Sequence, residues 1–238
     1  VYFNPAAIAS SINLRTNIIS ALQLYSQNVE INKFGGRFKY SKINQLIDRV
    51  DNGITSNITK VIIRRDLKAS LNQFAQYELC FGNRFYINPA GFNIKSTGFT
   101  VSGSDKIAYL TDVPNKDAAG NLDGSMMGTI SIVSKNNKNQ QVVLVKGAGV
   151  VDYKKGEVIL NTINFTSTVA ENNIVEVQAY PESNDVVGLK DLFVSFNVSN
   201  STINMKEDVI ASGEDVSGVV FTRDYFTSSY SNGVLERK

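Results

Sequence analysis

The stretch Gly149-Val150-Val151-Asp152-Tyr153-Lys154-Lys155-Gly156-Glu157-Val158-Ile159-Leu160 decides how this chain folds. Val150, Val151 and Tyr153 lead into a turn at Lys154-Lys155-Gly156, and Val158 to Leu160 return as a second strand. That pattern describes a β-hairpin. A hairpin builds a sheet; it does not catalyse.

Outward from the hairpin the same signal recurs. Ala75, Tyr77, Leu79 and Phe81 alternate with polar Gln76 and Glu78, and the run Ile58-Thr59-Lys60-Val61-Ile62-Ile63-Arg64-Arg65 is rich in β-branched residues. Further strands are expected around 107–110, 128–133, 141–145, 157–165, 174–180 and 192–198, separated by Gly, Asn and Asp clusters. So many short strands at this spacing predict a sandwich or barrel-like sheet.

The first fifty residues read as helical. Asn4-Pro5 is a start signal, and Ile8, Ile12, Ile18, Ile19, Leu22, Tyr25 and Val29 then recur at helical steps. Gly35-Gly36 interrupts, Ser41 is a candidate cap for a second helix, and Ile43, Leu46, Ile47 and Val50 form its apolar stripe. Asp51-Asn52-Gly53 suits the closing turn. The expected class is α+β: two N-terminal helices followed by a predominantly antiparallel β-rich region. The expected organisation is a helical segment over 1–55 packing on the sheet, a β-rich domain over 56–200, and a C-terminal segment over 201–238. In that last segment Phe221, Tyr225, Phe226 and Tyr230 sit among Ser, Thr and Gly with weak periodicity. They read either as a terminal strand on the core or as an arm docking on a neighbouring subunit, and are the candidate interface residues.

Composition narrows the chemistry. Hydrophobic residues make up 42% and charged residues 19% of 238, an ordinary globular balance without the signature of disorder. The formal net charge of +2 gives no global attraction to nucleic acid or anionic membrane, and no apolar run approaches the roughly 20 residues that span a bilayer. The chain begins at Val1, which reads as a piece of something larger. Histidine is absent and Cys80 is the single cysteine. Those two facts remove Ser–His–Asp and Cys–His machinery and tetrahedral zinc, so an enzyme would have to run on carboxylates, Lys or Tyr. Cys80 itself reads as a core thiol, in keeping with assembly in a cytosol. The absence of Trp weakens a sugar-stacking site, although ten Tyr remain.

Each motif has a plain structural reading. Lys33-Phe34-Gly35-Gly36-Arg37-Phe38-Lys39-Tyr40 interleaves basic and aromatic residues as single-strand nucleic-acid surfaces do, but it joins two helices and is expected to be a loop with its aromatics tucked inward. Lys60, Arg64, Arg65 and Lys68, balanced by Asp66, suit a solvated sheet edge or interface rim. The loop from Asn115 to Gly124 fails the calcium template, because Ala119 and Met126 occupy ligand positions, and is read as turns. Lys146-Gly147-Ala148-Gly149 lacks the ending of a phosphate loop and is expected to allow a tight turn between strands. The Asn-X-Ser/Thr sequons at Asn57, Asn164, Asn197 and Asn200 are expected by chance in so Asn-rich a chain. Asp152, Glu157, Glu176 and Asp191 show no spacing that singles out an acid and a base across a cleft. No catalytic, cofactor-binding or metal-binding residue emerges.

Two regions resemble a known family. One comprises Glu30 to Asp48, Ile58 to Leu67 and Tyr77 to Gly82; the other is the opening hairpin, Gly149 to Leu160. Both resemble the C-terminal part of the large baseplate wedge subunit of T-even-type contractile-tailed phages, related to the baseplate J-like proteins. The resemblance implies a structural subunit of the virion, assembled in the host cytoplasm. It implies an inner ring around the tail hub, built from homodimers and contacting other baseplate wedge proteins, with no enzyme activity, cofactor, nucleic acid or membrane. It is a similarity of whole segments, so no active-site residue is carried over. A surface adhesin or carbohydrate-binding β-domain is the alternative, predicting a groove lined by Tyr and Asn. A carboxylate-driven hydrolase is a third, predicting two acids facing each other across a cleft.

Overall fold

The computed structural model describes residues 1–29, 31–189 and 193–208, together with the backbone of a short hairpin at 230–231 and 234–235. In chain order the first part holds β1 (Tyr2–Phe3), α1 (Ser11–Ser26), β2 (Arg37–Phe38), α2 (Tyr40–Asp48) and β3 (Ile54–Ser56). Next come β4 (Ile63–Lys68), β5 (Ala75–Cys80), β6 (Lys95–Ser96), β7 (Phe99–Val101), β8 (Ser104–Pro114) and β9 (Met127–Lys135). Then follow β10 (Gln141–Asp152), β11 (Glu157–Ile163), β12 (Phe165–Thr168), β13 (Ile174–Ala179), β14 (Val186–Val187) and β15 (Lys206–Glu207). The hairpin is β16 (Tyr230–Ser231) with β17 (Val234–Leu235).

The opening stretch is the hairpin its sequence describes, with Val151 opposite Val158 and Asp152 opposite Glu157 across β10 and β11. It sits within a ten-stranded sheet of order β4-β13-β6-β8-β9-β10-β11-β5, with β7 attached to β8 and β12 to β7. The two ends of that path, β4 and β5, lie beside one another, so the sheet curls into a nearly closed barrel. Closure of this kind leaves few open edges. The inward positions alternate along each strand: Leu110 on β8, Ile130 and Ile132 on β9, Val151 on β10, Val158 and Leu160 on β11 and Val175 and Val177 on β13 are all buried. Edge-to-face rings fill the interior, with Phe99 and Phe165 at 4.9 Å and Phe81 and Phe85 at 5.0 Å. Each fully buried aliphatic or aromatic side chain contributes about 1.5–3 kcal/mol, which makes this interior the main source of stability.

Helix α1 starts later than its sequence predicts. Ser10 caps it by accepting from the Asn13 N–H, whereas Asn4 accepts from the Ala6 N–H in a turn that precedes the helix. Leu14, Ile18 and Leu22 face the core, and Ile12 and Val29 are about three-quarters exposed, at 74% and 76%. In α2, Ile43 and Ile47 are buried as expected, with Leu46 and Val50 partly so, but Ser41 is not its cap. The start is held from a distance by Asp185, whose carboxylate accepts from the Tyr40 N–H at 2.9 Å and pairs with Lys39 at 2.8 Å. Both helices share one apolar cluster with the barrel. The molecule is mostly β, with these two helices on a barrel-like sheet, so the expected α+β class fits only loosely.

Three other strand expectations need correction. Only Ile63 onward of the 58–65 run joins the sheet, and Ile58 and Ile62 stand exposed before it. The expected 157–165 strand is two, β11 and β12, and the second turns away to pair with β7. Among the described residues of 193–198 there is no strand, only a bridge between Phe193 and Phe34.

Candidate interaction surface

Lys146-Gly147-Ala148-Gly149 is a bulge inside β10, not a turn between strands. Val145 stands opposite Ile132 and Gly149 opposite Ile130, so residues 146–148 together face Ser131. Gly147 takes a positive φ of 70° there, which a side chain would resist. A Cβ on Gly149 would lie 2.3 Å from the Ile159 carbonyl oxygen, so this close approach to β11 admits only glycine. Below the bulge β10 is flanked by β9 and β11. Above it, residues 141–145 pair with β9 alone among the described residues, with a second break in register between Val143 and Val145. Val142, Val143 and Val145 are all exposed on this projecting ribbon.

A second apolar surface lies where the helical part meets the barrel. Asn83 uses its side-chain amide as a strand would, accepting from the Val187 N–H and donating to the Val187 carbonyl, each at 2.9 Å. That fixes β14, which pairs with β2, and the Gly35 N–H donates to the Leu189 carbonyl just beyond. Phe34 and Phe193 then meet edge to face at 6.0 Å while remaining 68% and 53% exposed. With exposed Val187 and Leu189 they form an apolar patch of the kind that marks an interaction site. The sequence reading expected the aromatics of 33–40 to tuck inward; Phe38 does, and Phe34 does not. The Gly35-Gly36 pair was the signal, because a tight turn there flips Phe34 away from the side that Phe38 occupies.

The barrel interior holds a buried polar cluster around Asp112 that the sequence alone did not announce. Asp112 is fully buried on β8; its carboxylate accepts from the Ile94 N–H at 2.6 Å and from the Tyr153 hydroxyl at 2.7 Å. Neighbouring Asn93 donates to the carbonyls of Tyr86 and Tyr180 and accepts from the Tyr180 N–H. Burial pushes the Asp112 carboxyl above its ordinary range, against the pull of those hydrogen bonds. The Tyr153 phenol is pushed up as well, by burial and by the facing carboxylate. This cluster fastens the 86–94 segment across the barrel. Asp112 and Tyr153 are fully buried, Asn93 nearly so, and their partners are structural groups, so the cluster acts as a clamp.

The other carboxylates weighed earlier are engaged structurally. Glu176 pairs with Arg64 at 3.1 Å, and Lys155 sits 3.7 Å from both Asp152 and Glu157. Asp191 lies outside the described residues, as do Phe221, Tyr225 and Phe226 of the candidate interface; Tyr230 is described only as backbone of β16. In the 115–124 loop the Asp117 carboxylate accepts from the N–H groups of Ala119 and Asn121, which is turn chemistry. Of the basic set, Arg64, Arg65 and Lys68 fall on β4, an end strand of the sheet path, and Lys60 precedes it; Arg64 also meets Asp66 at 3.2 Å.

Residues 1–66 match a family described as baseplate structural protein gp6, C-terminal domain III. The matched stretch carries β1, both helices and β3, and ends inside β4. Among curated proteins none matches the chain. The family match supports a structural role in a phage baseplate, and with it a place in the virion tail.

Proposed function

We propose that the chain is a structural subunit of a baseplate wedge, contributing to the inner ring around the tail hub by self-association and by contacts with other wedge proteins. The observation that carries this reading is the match of residues 1–66 to a baseplate structural family. The matched stretch also contributes Phe34 to the exposed Phe34–Phe193 patch, a surface suited to a neighbouring protein. A ring of dimers needs two different contacts per subunit, and the Phe34–Phe193 patch and the C-terminal aromatics Phe221, Tyr225, Phe226 and Tyr230 are offered for them. On this reading residues 1–55, 56–200 and 201–238 act as helical support, barrel and contact segment.

The test is co-sedimentation with the wedge proteins of the phage that encodes the chain. The wild-type chain should enter a wedge-sized complex, and Phe34→Ser with Phe193→Ser should weaken that entry while the barrel still melts cooperatively. A chain that never enters such a complex overturns the reading. The C-terminal contact fails separately if Tyr225→Ala with Phe226→Ala leaves self-association unchanged.

A further inference from the structure

The sheet path ends on two strands whose facing edges do not pair. Among the described residues β4 is bonded only to β13 and β5 only to β11. The loop that joins them is fastened by the Ser70 N–H, which donates to the Tyr77 hydroxyl at 3.0 Å. A groove of about 1440 Å³ runs along this seam, lined by Ile63, Arg65 and Leu67 of β4 and by Tyr77 and Leu79 of β5. The ladder from β4 to β13 is unbroken from Ile63 to Lys68, so the free edge of β4 is regular. Side chains alternate along a strand, which puts Arg65 on the interior face between buried Ile63 and Leu67. Asp66 and Glu176 engage Arg64 on the other face, and Glu78 is exposed on β5. Arg65 is half-buried and, among the described residues, has neither an ion pair nor a hydrogen bond. An inward charge ordinarily keeps foreign strands off a sheet edge. Here it does so selectively: a neutral strand would desolvate the guanidinium without pairing it, whereas a strand with a carboxylate opposite would satisfy it.

We propose that the β4 edge is a seat for an extended, acidic segment of another protein, added antiparallel to β4. One acidic residue of that segment stands opposite Arg65, and aliphatic residues two positions to either side stand opposite Ile63 and Leu67. The free backbone groups of β4 supply the ladder, and the two aliphatic contacts cover the apolar lining of the groove. The Arg65 pair then sets which segment is accepted, because a lysine at the same place is repelled. This seat is a property of the chain itself and does not depend on the baseplate reading.

The probe is a fluorescein-labelled, terminally blocked heptapeptide with threonine at its odd positions and valine, glutamate and valine at its even ones. It is titrated with the whole chain and followed by fluorescence anisotropy. The glutamate peptide should bind about tenfold or more tighter than the forms with glutamine or lysine at the centre. Methylating the backbone amides of the peptide should abolish binding, because the ladder needs those N–H groups. Arg65→Glu should invert the choice towards the lysine peptide, and Arg65→Gln should erase it. On the wild type, hydrogen exchange gives a readout free of folding effects: amides of β4 that the β13 ladder leaves free should slow when the peptide is in excess. Absent binding of the glutamate peptide, equal binding of the glutamate and glutamine forms, or undiminished binding of the methylated form overturns the seat. So does a β4 edge whose amides exchange at one rate with and without peptide, or a preference for glutamate that persists in Arg65→Glu. Where Arg65→Glu fails to fold, Arg65→Gln decides, and an undiminished preference for glutamate there overturns the seat.

Discussion

Tyr153→Phe is the most informative single perturbation of the fold. The Tyr153 ring is fully buried, so the substitution keeps its packing and deletes one hydroxyl. What is lost is a 2.7 Å hydrogen bond to a buried carboxylate, Asp112, whose remaining support comes from backbone N–H groups, the Ile94 N–H at 2.6 Å foremost. A hydrogen bond to a charged group contributes about 1.5–3 kcal/mol, and the carboxylate that loses its donor is buried, so a loss of about 2–3 kcal/mol is expected. For a chain of this size that lowers Tm by roughly 4–12 °C. The pH dependence follows from the sign of the Asp112 shift. Its folded pKa is raised above the ordinary 3.8, so its contribution is fully present below that value and declines as pH rises through the folded pKa. Removing the Tyr153 hydroxyl, one of the groups that lowers this pKa, moves it further up, so the variant loses more stability at pH 8 than near pH 4. Urea unfolding followed by far-ultraviolet circular dichroism at both pH values measures the difference directly. A loss below about 0.5 kcal/mol, the ordinary range for surface substitutions, would refute the clamp. So would a loss of the same size at both pH values.

Gly149→Ala should cost about 1–3 kcal/mol, because its Cβ would press on the β11 backbone at the Ile159 carbonyl; thermal melts report it. Asp185→Ala should cost about 1 kcal/mol at pH 7 by uncapping α2. Lys39 and the Tyr40 N–H hold the Asp185 carboxyl below its ordinary 3.8, so its contribution is present above that value and lost as pH falls. Wild type and variant should therefore converge in acid, which urea titrations at several pH values check. Leu160→Ala, at a fully buried position on β11, should cost about 2–5 kcal/mol in the same assay.

The hairpin at 149–160 was legible because its alternation, turn and return strand are all local. The helical core positions Leu22, Ile43 and Ile47 were legible for the same reason. What the sequence hid depends on distant partners. The cap of α2 comes from Asp185, 145 residues away from Tyr40, and no local pattern announces it. Asp112 reads as one more polar residue on an alternating strand until Tyr153 and Ile94 are brought to it. Glycines at 147 and 149 look like turn residues, and only the register of β9 against β10 shows that they form a bulge. Phe34 was expected to tuck inward and is exposed instead, because hydrophobicity alone does not say which face is covered.

The central claim, that this chain builds a phage baseplate, is tested most directly by locating it in the virion. Epitope-tagged chain, decorated with gold-labelled antibody on purified tails, should be found at the distal end of the tail, clustered close to the tube axis. Label on the tail fibres would favour the adhesin alternative, and label along the sheath, or none on the particle, would contradict the account.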